Sequence, residues 1–259
     1  MRIKLLIISL FLSSFTFYSC GQGYEVAYIA LSYLGTPYVA GTLEVNEEES
    51  LVVNLDEVDC TTLVEYCLAR FLSIHSFNDF NKELELLRYR EGQISGYSSR
   101  LHYICEWIKD NEKKGLLKDI SREIGGQAYL PEVNFMSSHP DSYPALTNNS
   151  KEIERIREIE TNINKRTDYY FIPKKEISEK AQLIKDGDII AFTTSIKGLD
   201  VQHIGIAYWQ DKKLTFIHAS SKAKKVIINP ESLAEYANTQ KTITGIMVAR
   251  AEDNRDKDK

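Results

Sequence analysis

The chain has 259 residues, of which 43% are hydrophobic and 27% are charged, a composition typical of a globular protein. Its formal net charge is -5, and removing residues 1–19, which hold Arg2 and Lys4, lowers Lys and Arg from 32 to 30 against 37 Asp and Glu. Because an acidic chain is repelled by phosphate backbones, we expect no nucleic-acid partner. The length favours a single domain with insertions.

Residues 1–19 have the pattern of an export signal. A basic start is followed by a mostly apolar run over residues 5–12 and a stretch rich in Ser and Phe, which is too short and too polar for a mature membrane span. A small residue before Cys20 predicts lipidation of that cysteine, although Phe17 stands where bacterial lipoprotein signals usually have Leu. Simple cleavage near residues 19–23 is the alternative. Either way we expect an exported protein, periplasmic or lipid-anchored to the outer membrane, with any anchor as its only membrane contact.

Cysteine and histidine spacing argues against disulfides and metals. If Cys20 is lipidated or removed, three cysteines remain without regular spacing, at positions 60, 67 and 105. The five histidines form no H-x-x-x-H pair, and no C-x-x-C motif occurs. The sequence therefore predicts no metal site.

Two helices are predicted in the first third of the chain. Apolar positions over residues 24–34 fall at helical spacing, and Gly35-Thr36-Pro37 ends the pattern. A second apolar face repeats at i, i+3, i+4 and i+7 over residues 60–71. Cys67 lies on this face, and Cys105 lies on the apolar face of a later helix, so both are interpreted as core residues.

The rest of the domain, which we place at residues 20–250, changes from helical to β patterns. Residues from about 75 to 185 are predicted to form a helical insertion, with amphipathic helices at 77–89, 101–108 and 151–163. Short β-rich runs follow at 188–193, 201–209, 214–220, 225–229 and 243–250. The predicted fold class is therefore α+β, with N-terminal helices packed on a C-terminal antiparallel β-sheet. The charged residues 251–259 are predicted to be a disordered tail.

Cys60 is a candidate nucleophile because it follows Asp59 at the start of a predicted helix. Unpaired N–H groups and the positive end of the helix dipole stabilise a thiolate, so we expect the pKa of this thiol to be lowered. Asp59 has two interpretations, as the N-cap of the helix alone or as part of a site.

Two histidines on neighbouring predicted strands could serve this thiol. Alternation places His203 on a strand face with small residues, and we expect the helix of Cys60 to pack on that face. A turn around Asp211 and Lys212, of two or four residues, places Gly205 opposite His218. The two histidines are then diagonal neighbours, within about 7 to 8 Å at Cα. A three-residue loop would put them on opposite faces.

Together these residues could form a cysteine hydrolase site. Cys60 would attack a carbonyl, His203 would pair with the thiolate and protonate the leaving amine, and His218 would orient the imidazole. The oxyanion would need the N–H of Cys60 and one more donor, for which Tyr38 is a candidate. The alternative is that each residue only packs or satisfies a core hydrogen bond.

Five motifs in this order resemble the NlpC-type papain-like hydrolases of bacterial cell-wall peptides. They are Leu34-Gly35-Thr36-Pro37-Tyr38, Asp59-Cys60, Lys185-Asp186-Gly187-Asp188-Ile189, His203-Ile204-Gly205-Ile206 and Phe216-Ile217-His218-Ala219-Ser220. The resemblance implies a papain-like fold over most of the mature chain. It also implies Cys60 as nucleophile, His203 as base, His218 as third member, Tyr38 near the cleft, and no cofactor.

Departures from the common peptidase pattern indicate a branch of that family. Val58 precedes the Asp-Cys pair and Thr61-Thr62 follows it, where common peptidases have Ser and Ser-Gly. With Tyr38-Val39-Ala40-Gly41-Thr42-Leu43-Glu44 and Ser99-Arg100-Leu101-His102-Tyr103, the chain resembles the N-acetylmuramoyl-L-alanine amidase-like branch. This implies peptidoglycan fragments as substrates and cleavage of the amide between N-acetylmuramic acid and L-alanine. The alternatives are a γ-D-glutamyl peptidase that cuts within the stem peptide and a non-catalytic module that binds muropeptides.

Substrate contacts are predicted on weaker grounds. Arg100 could bind a stem-peptide carboxylate or be a solvated arginine at a helix start. Glu44 and His102 are further candidates from the same motifs, beside Tyr38 and Asp59.

Overall fold

The computed structural model describes residues 22–255 of the chain. The predicted export signal, residues 1–19, and the predicted lipidation site Cys20 lie outside this range. Among the helices within it, none has the length and apolar character needed to cross a membrane.

Helices and strands of the described range confirm the α+β class. The helices are α1 (Gln22–Ser32), α2 (Cys60–Ser76), α3 (Phe80–Arg88), α4 (Ile104–Lys113), α5 (Phe135–Ser138), α6 (Ser150–Lys165), α7 (Ile177–Lys180) and α8 (Leu233–Thr239). The strands are β1 (Leu117–Asp119), β2 (Gln127–Tyr129), β3 (Tyr169–Pro173), β4 (Ile189–Thr194), β5 (Val201–Gln210), β6 (Lys213–Ser220), β7 (Lys225–Ile228) and β8 (Ile243–Ala251).

The strands form one antiparallel sheet in the order β2-β3-β8-β4-β5-β6-β7, and β1 also pairs with β8. Helices α1 and α2 pack on one face, where the apolar stripe of α2 meets Ile204, Ile206 and Ile217. Helix α8 packs on the other face, against Phe216 and its neighbours. The predicted arrangement of N-terminal helices on an antiparallel sheet is confirmed.

The segment predicted as a helical insertion also supplies strands. Its three predicted helices correspond to α3, α4 and α6, but β1, β2 and β3 lie in the same segment and extend the sheet. Pro173 made β3 hard to predict from the sequence, because proline is disfavoured inside central strands. In the structure Pro173 is the last residue of β3, where it is tolerated. The prediction of a helical insertion therefore holds for its three helices but missed the three strands.

The hairpin that brings the histidines together has the predicted register. Ile206 pairs with Ile217 and Gln210 with Lys213, which leaves Asp211 and Lys212 as a two-residue turn. Both turn residues have positive φ, 49° and 68°, as the tight turns favoured in hairpins require.

The face on which the histidines lie differs from the prediction. His203 lies directly opposite Phe192 on the neighbouring strand, and Phe192 belongs to the core between the sheet and α8. The apolar stripe of α2 instead packs on the opposite face, since the large residues Ile204 and Ile206 offer more apolar surface than the small ones. The expectation that α2 packs on the small-residue face was wrong.

The end of the chain is more ordered than predicted. Ala251 closes β8, and the guanidinium of Arg255 lies 2.7 Å from the carboxylate of the buried Glu83 in α3. The backbone N–H of Asn254 donates to the carbonyl of Gly115. The predicted disordered tail therefore does not begin at residue 251; residues 256–259 lie outside the described range.

Candidate active site

The N-terminus of α2 is fixed by Asp59, which acts as its N-cap. Oδ1 of Asp59 accepts hydrogen bonds from the backbone N–H groups of Thr61 and Thr62, at 3.0 and 2.8 Å, and from the hydroxyl of Thr62. The Thr62 hydroxyl in turn accepts from the N–H of Asp59. This reciprocal capping box gives Thr62 a structural role and fixes Cys60 as the first residue of the helix.

Cys60 lies where the start of α2 meets strand β5. The residue is half-buried, and the backbone N–H groups of Ile204 and Cys60 and the side chain of Thr61 are the neighbouring groups that favour its thiolate. The thiol and His203 line one cavity of about 170 Å³. The other lining residues are Thr61, His102, Tyr103, Ile104, Met136, Tyr143, Leu199, Asp200, Val201, Gln202 and Ile204.

The resting thiol is protonated at neutral pH. Burial, and next the negative charge of Asp59, raise the pKa of Cys60 to about 12. The three neighbouring donors lower the pKa, but burial has the larger effect because it removes the thiolate from water. The prediction of a lowered thiol pKa was therefore wrong for the resting site.

His203 and His218 form a direct hydrogen bond, 2.6 Å from Nε2 of His203 to Nδ1 of His218. Burial lowers the pKa of His203 to about 4 and, together with the charge of His203, that of His218 to about 3. Both rings are thus neutral, and one must donate to the other. If Nε2–H of His203 donates, its Nδ1 keeps a lone pair and can accept a proton. The predicted adjacency of the two histidines is confirmed.

Two local features of β5 allow this pairing. A bulge interrupts its ladder with β4, because Phe192 faces His203 whereas the next residue, Thr193, faces Val201. Bulges bend a strand and redirect the side chains beside them. Gly205 is the second feature: a Cβ there would lie 2.9 Å from the carbonyl oxygen of Ile217 and 3.2 Å from Cβ of His218. A larger residue would therefore push β5 away from the second histidine.

Tyr38 pairs with the segment that leads into α2. It forms a bridge with Val58, two residues before Cys60, and the N–H of Val39 donates to the carbonyl of Val58. Burial, then the charges of Cys60 and Asp59, raise the pKa of the Tyr38 phenol. This hydroxyl therefore keeps its proton and remains a hydrogen-bond donor at neutral pH.

His102 also lines the cavity of Cys60. Its Nε2 lies 3.0 Å from the carbonyl oxygen of Tyr97, and burial followed by the charge of Arg100 lowers the pKa of His102 to about 3. Because a carbonyl only accepts, Nε2 carries the proton and Nδ1 is left as an acceptor.

Arg100 and Glu44 lie in a different place from the thiol. The guanidinium of Arg100 binds the carboxylates of Glu44, at 2.5 Å, and Glu49, at 2.7 Å. Both carboxylates line a separate acidic cavity of about 380 Å³. Since these two partners already occupy the guanidinium, the expectation that Arg100 binds a substrate carboxylate is not supported.

Two residues of the site were not found from the sequence. The buried carboxylate of Asp200 lines the cavity and accepts from the N–H of Cys105, at 2.7 Å, which ties α4 to the start of β5. Tyr236 on α8 faces both histidines, with ring centroids 6.4 Å from His203 and 6.1 Å from His218. Neither residue belongs to a motif, and only the tertiary fold brings them to the thiol.

No group of three or more His, Cys, Asp and Glu side chains within residues 22–255 is arranged to hold a metal ion. The cysteines of the same range, Cys60, Cys67 and Cys105, are free thiols, and the last two are buried as predicted. The chemistry that these residues can perform is nucleophilic attack by a thiol with an imidazole as base.

Comparison with known proteins identifies the family of the chain. A family model described as N-acetylmuramoyl-L-alanine amidase-like (AmiA-like) matches residues 28–245. The crystal structure of an N-acetylmuramoyl-L-alanine amidase from Bacteroides uniformis is 40% identical, with a TM-score of 0.86, over 89% of this chain and 99% of that one. A Bacteroides fragilis protein named as a candidate xylanase is 39% identical, with a TM-score of 0.82, over 86% and 99% of the two chains.

A more distant neighbour, from Legionella pneumophila, is 26% identical, with a TM-score of 0.67, over 89% of both chains. No curated protein matches the chain in sequence. Since the family model covers most of the domain and the similar structures cover nearly their whole length, the chain belongs to the N-acetylmuramoyl-L-alanine amidase-like family.

Proposed function

We propose that this protein is a cysteine amidase that hydrolyses the amide bond between N-acetylmuramic acid and L-alanine in peptidoglycan fragments. The observation that carries the proposal is the shared cavity of Cys60 and His203, with His218 bonded to Nε2 of the base. The name of the Bacteroides uniformis amidase supports the choice of bond. The order of helices and strands supports the papain-like, NlpC-type fold that the motifs resemble.

The first half of the reaction forms a thioester. Nδ1 of His203 takes the proton of the Cys60 thiol as the sulfur attacks the carbonyl carbon of the lactyl group, and the carbonyl oxygen becomes an oxyanion. The N–H of Cys60 at the helix start and the Tyr38 hydroxyl are the donors for that oxygen. Nδ1–H then protonates the amine of L-alanine, the C–N bond breaks, and the stem peptide leaves.

The second half regenerates the enzyme. Nδ1 of His203 takes a proton from water, whose oxygen attacks the thioester carbonyl. The C–S bond breaks and the thiol recovers its proton from the imidazolium. His218 accepts the Nε2–H of His203 throughout, so the ring keeps the tautomer that leaves Nδ1 free. No step requires a cofactor.

A polysaccharide hydrolase, as the name of the Bacteroides fragilis structure would suggest, fits the cavity less well. Glycoside hydrolysis generally uses two carboxyl groups on opposite sides of the scissile bond. Among the described residues that line the cavity, Asp200 is the only carboxylate, and it is occupied by the N–H groups of Cys105 and Val201.

The test is incubation of the protein with muropeptides from a muramidase digest and identification of the products by mass. We expect free stem peptides that begin with L-alanine, together with glycan that has lost its peptide. Cys60→Ala should abolish release, whereas Cys67→Ala, on the same helix but buried in the core, should keep it. Cleavage only within the stem would contradict the proposal in favour of a γ-D-glutamyl peptidase, and tight binding without turnover would favour a binding module.

The proposal includes the cell envelope as the place of action. The export signal and the predicted lipidation of Cys20 support it, since peptidoglycan fragments are exposed on that side of the inner membrane. Metabolic labelling with a radioactive or clickable fatty acid tests the anchor: Cys20→Ala should abolish the label, and an unlabelled parent protein would leave simple cleavage as the explanation.

A further inference from the structure

Tyr236 is the one tyrosine of helix α8, and its ring stands in an aromatic cluster with the histidine pair. Its centroid lies 4.9 Å from that of Phe216 and 5.2 Å from that of Phe192. Both phenylalanines flank the histidines, at 4.6 Å from Phe216 to His218 and 5.9 Å from Phe192 to His203. The histidine hydrogen bond is therefore surrounded by apolar rings on the α8 face of the sheet.

The two phenylalanines are fully buried, whereas Tyr236 is half-buried. The tyrosine is thus the member of the cluster that stands between the histidines and solvent. It is not among the residues that line the cavity of Cys60, but its phenol is close enough to the thiol for burial and then the charge of Cys60 to raise the pKa of Tyr236. Its hydroxyl makes no hydrogen bond to any described residue. The contact of Tyr236 with the histidines is therefore made by its ring.

We propose that Tyr236 is a positioning residue whose ring keeps water away from the hydrogen bond between His203 and His218, so that both imidazoles stay neutral and Nδ1 of His203 stays free to accept the thiol proton. The inference rests on the proposed thiol amidase mechanism, but the state of the histidines can be measured without any substrate.

The charged and titratable groups around the pair are few. Cys60, His102, Asp200 and the phenols of Tyr103 and Tyr143 line the cavity beside His203, and Tyr236 faces the pair from α8. Asp200 is occupied by two N–H groups and His102 is neutral. Exclusion of water is accordingly the main cause of the low pKa of His203, about 4, and the half-buried ring is the side chain whose removal would let water in.

The experiment is a histidine side-chain NMR titration of the full domain, with His203 and His218 assigned from variants that lack each ring. In Tyr236→Leu, we expect the pKa of His203 to rise by roughly one unit or more toward the ordinary value of about 6.5. Tyr236→Phe keeps the ring and should titrate like the parent protein. Trp209→Leu removes an aromatic residue elsewhere on β5 and is the control for general loosening of the sheet.

Two results would overturn the inference: an unchanged His203 midpoint in Tyr236→Leu, or an equal shift in Trp209→Leu. If Tyr236→Phe shifts the midpoint as much as Tyr236→Leu, the hydroxyl rather than the ring is responsible and the inference is also wrong. Turnover adds a separate readout, in which the acid limb of kcat/KM moves to higher pH only in Tyr236→Leu. A shifted titration in a protein that cleaves no muropeptide would sink the proposed function and leave this inference standing.

Discussion

Replacement of His218 by leucine should remove activity without removing stability. The His218 ring is 3% exposed and uses only one nitrogen, since Nδ1 bonds to His203 at 2.6 Å whereas the buried Nε2 has no partner among the described residues. A buried polar atom without a partner costs about 1–3 kcal/mol, whereas a hydrogen bond contributes a net of about 0.5–1.5 kcal/mol. Leucine removes the unpaired nitrogen, but it also leaves Nε2–H of His203 without its acceptor, at a cost of similar size. We therefore expect the free energy of unfolding to stay within about 2 kcal/mol of that of the parent protein.

Activity should decrease even though stability changes little. Without an acceptor at Nε2, His203 can place its proton on Nδ1, the nitrogen that the thiol needs. Loss of one buried hydrogen bond of about 1–3 kcal/mol in the transition state corresponds to a decrease in kcat/KM of about 5- to 150-fold. Asparagine at this position offers a carbonyl oxygen to Nε2–H, and His218→Asn should therefore lose less activity than His218→Leu.

Denaturant unfolding gives the stability, and release of the L-alanine amine from a muramyl peptide gives kcat/KM. The reasoning would be refuted if His218→Leu lost more than about 2 kcal/mol of stability, because removal of the unpaired nitrogen would then not offset the lost hydrogen bond. It would equally fail if His218→Leu turned over substrate within twofold of the parent protein.

Three further predictions concern charge and burial. Because the pKa of Cys60 is raised to about 12, its thiolate should absorb in the ultraviolet only at strongly alkaline pH, and Cys60→Ala should remove that absorbance. A thiolate band of Cys60 at neutral pH would contradict this prediction. The folded-state pKa values of His203 and His218, about 4 and about 3, lie below the ordinary histidine value of about 6.5. Between these pH values the unfolded chain binds more protons than the folded one, so the free energy of unfolding should decrease as pH falls from about 6.5 to 3. His203→Gln with His218→Gln should flatten that decrease; an unchanged slope would show that other groups cause it. Glu65→Ala leaves the buried Arg88, 2.7 Å from Glu65 in the parent, without its partner and should lower the free energy of unfolding in urea by about 3–5 kcal/mol. The double variant Glu65→Leu with Arg88→Met should recover most of that stability, and equal losses of stability in both variants would argue against a desolvation cost.

Local patterns predicted the parts of the site that depend on neighbours in sequence. The helical spacing after Cys60 and the preference of Asp59 for N-caps placed the start of α2 at the residue where it occurs. The turn at Asp211 and Lys212 set the register of β5 and β6, because only an even-numbered loop puts both histidines on one face. These features depend on a few residues each, so one sequence is enough to show them.

The rest depends on tertiary packing that local patterns do not contain. The pKa of Cys60 follows from how deeply its thiol is buried, which the helix-end argument does not describe. Arg100 looked free as a residue at a helix start, but Glu44 and Glu49, more than 50 residues earlier, occupy its guanidinium. Tyr236 reaches the histidines only because α8 packs against the face of the sheet that carries them.

A neutral resting site changes how the thiol is activated. In the proposed mechanism, Cys60 is protonated and His203 is unprotonated at neutral pH, so the proton moves as the sulfur attacks. The donors at the start of α2 would then stabilise the developing oxyanion instead of a standing thiolate. Oxidation proceeds through the thiolate, so a protonated thiol is oxidised more slowly. The N-terminal segment predicts that this protein acts on the oxidising side of the inner membrane. A thiol that loses its proton only when it attacks the substrate resists oxidation there between turnovers, whereas a permanent thiolate–imidazolium pair would be open to oxidation throughout.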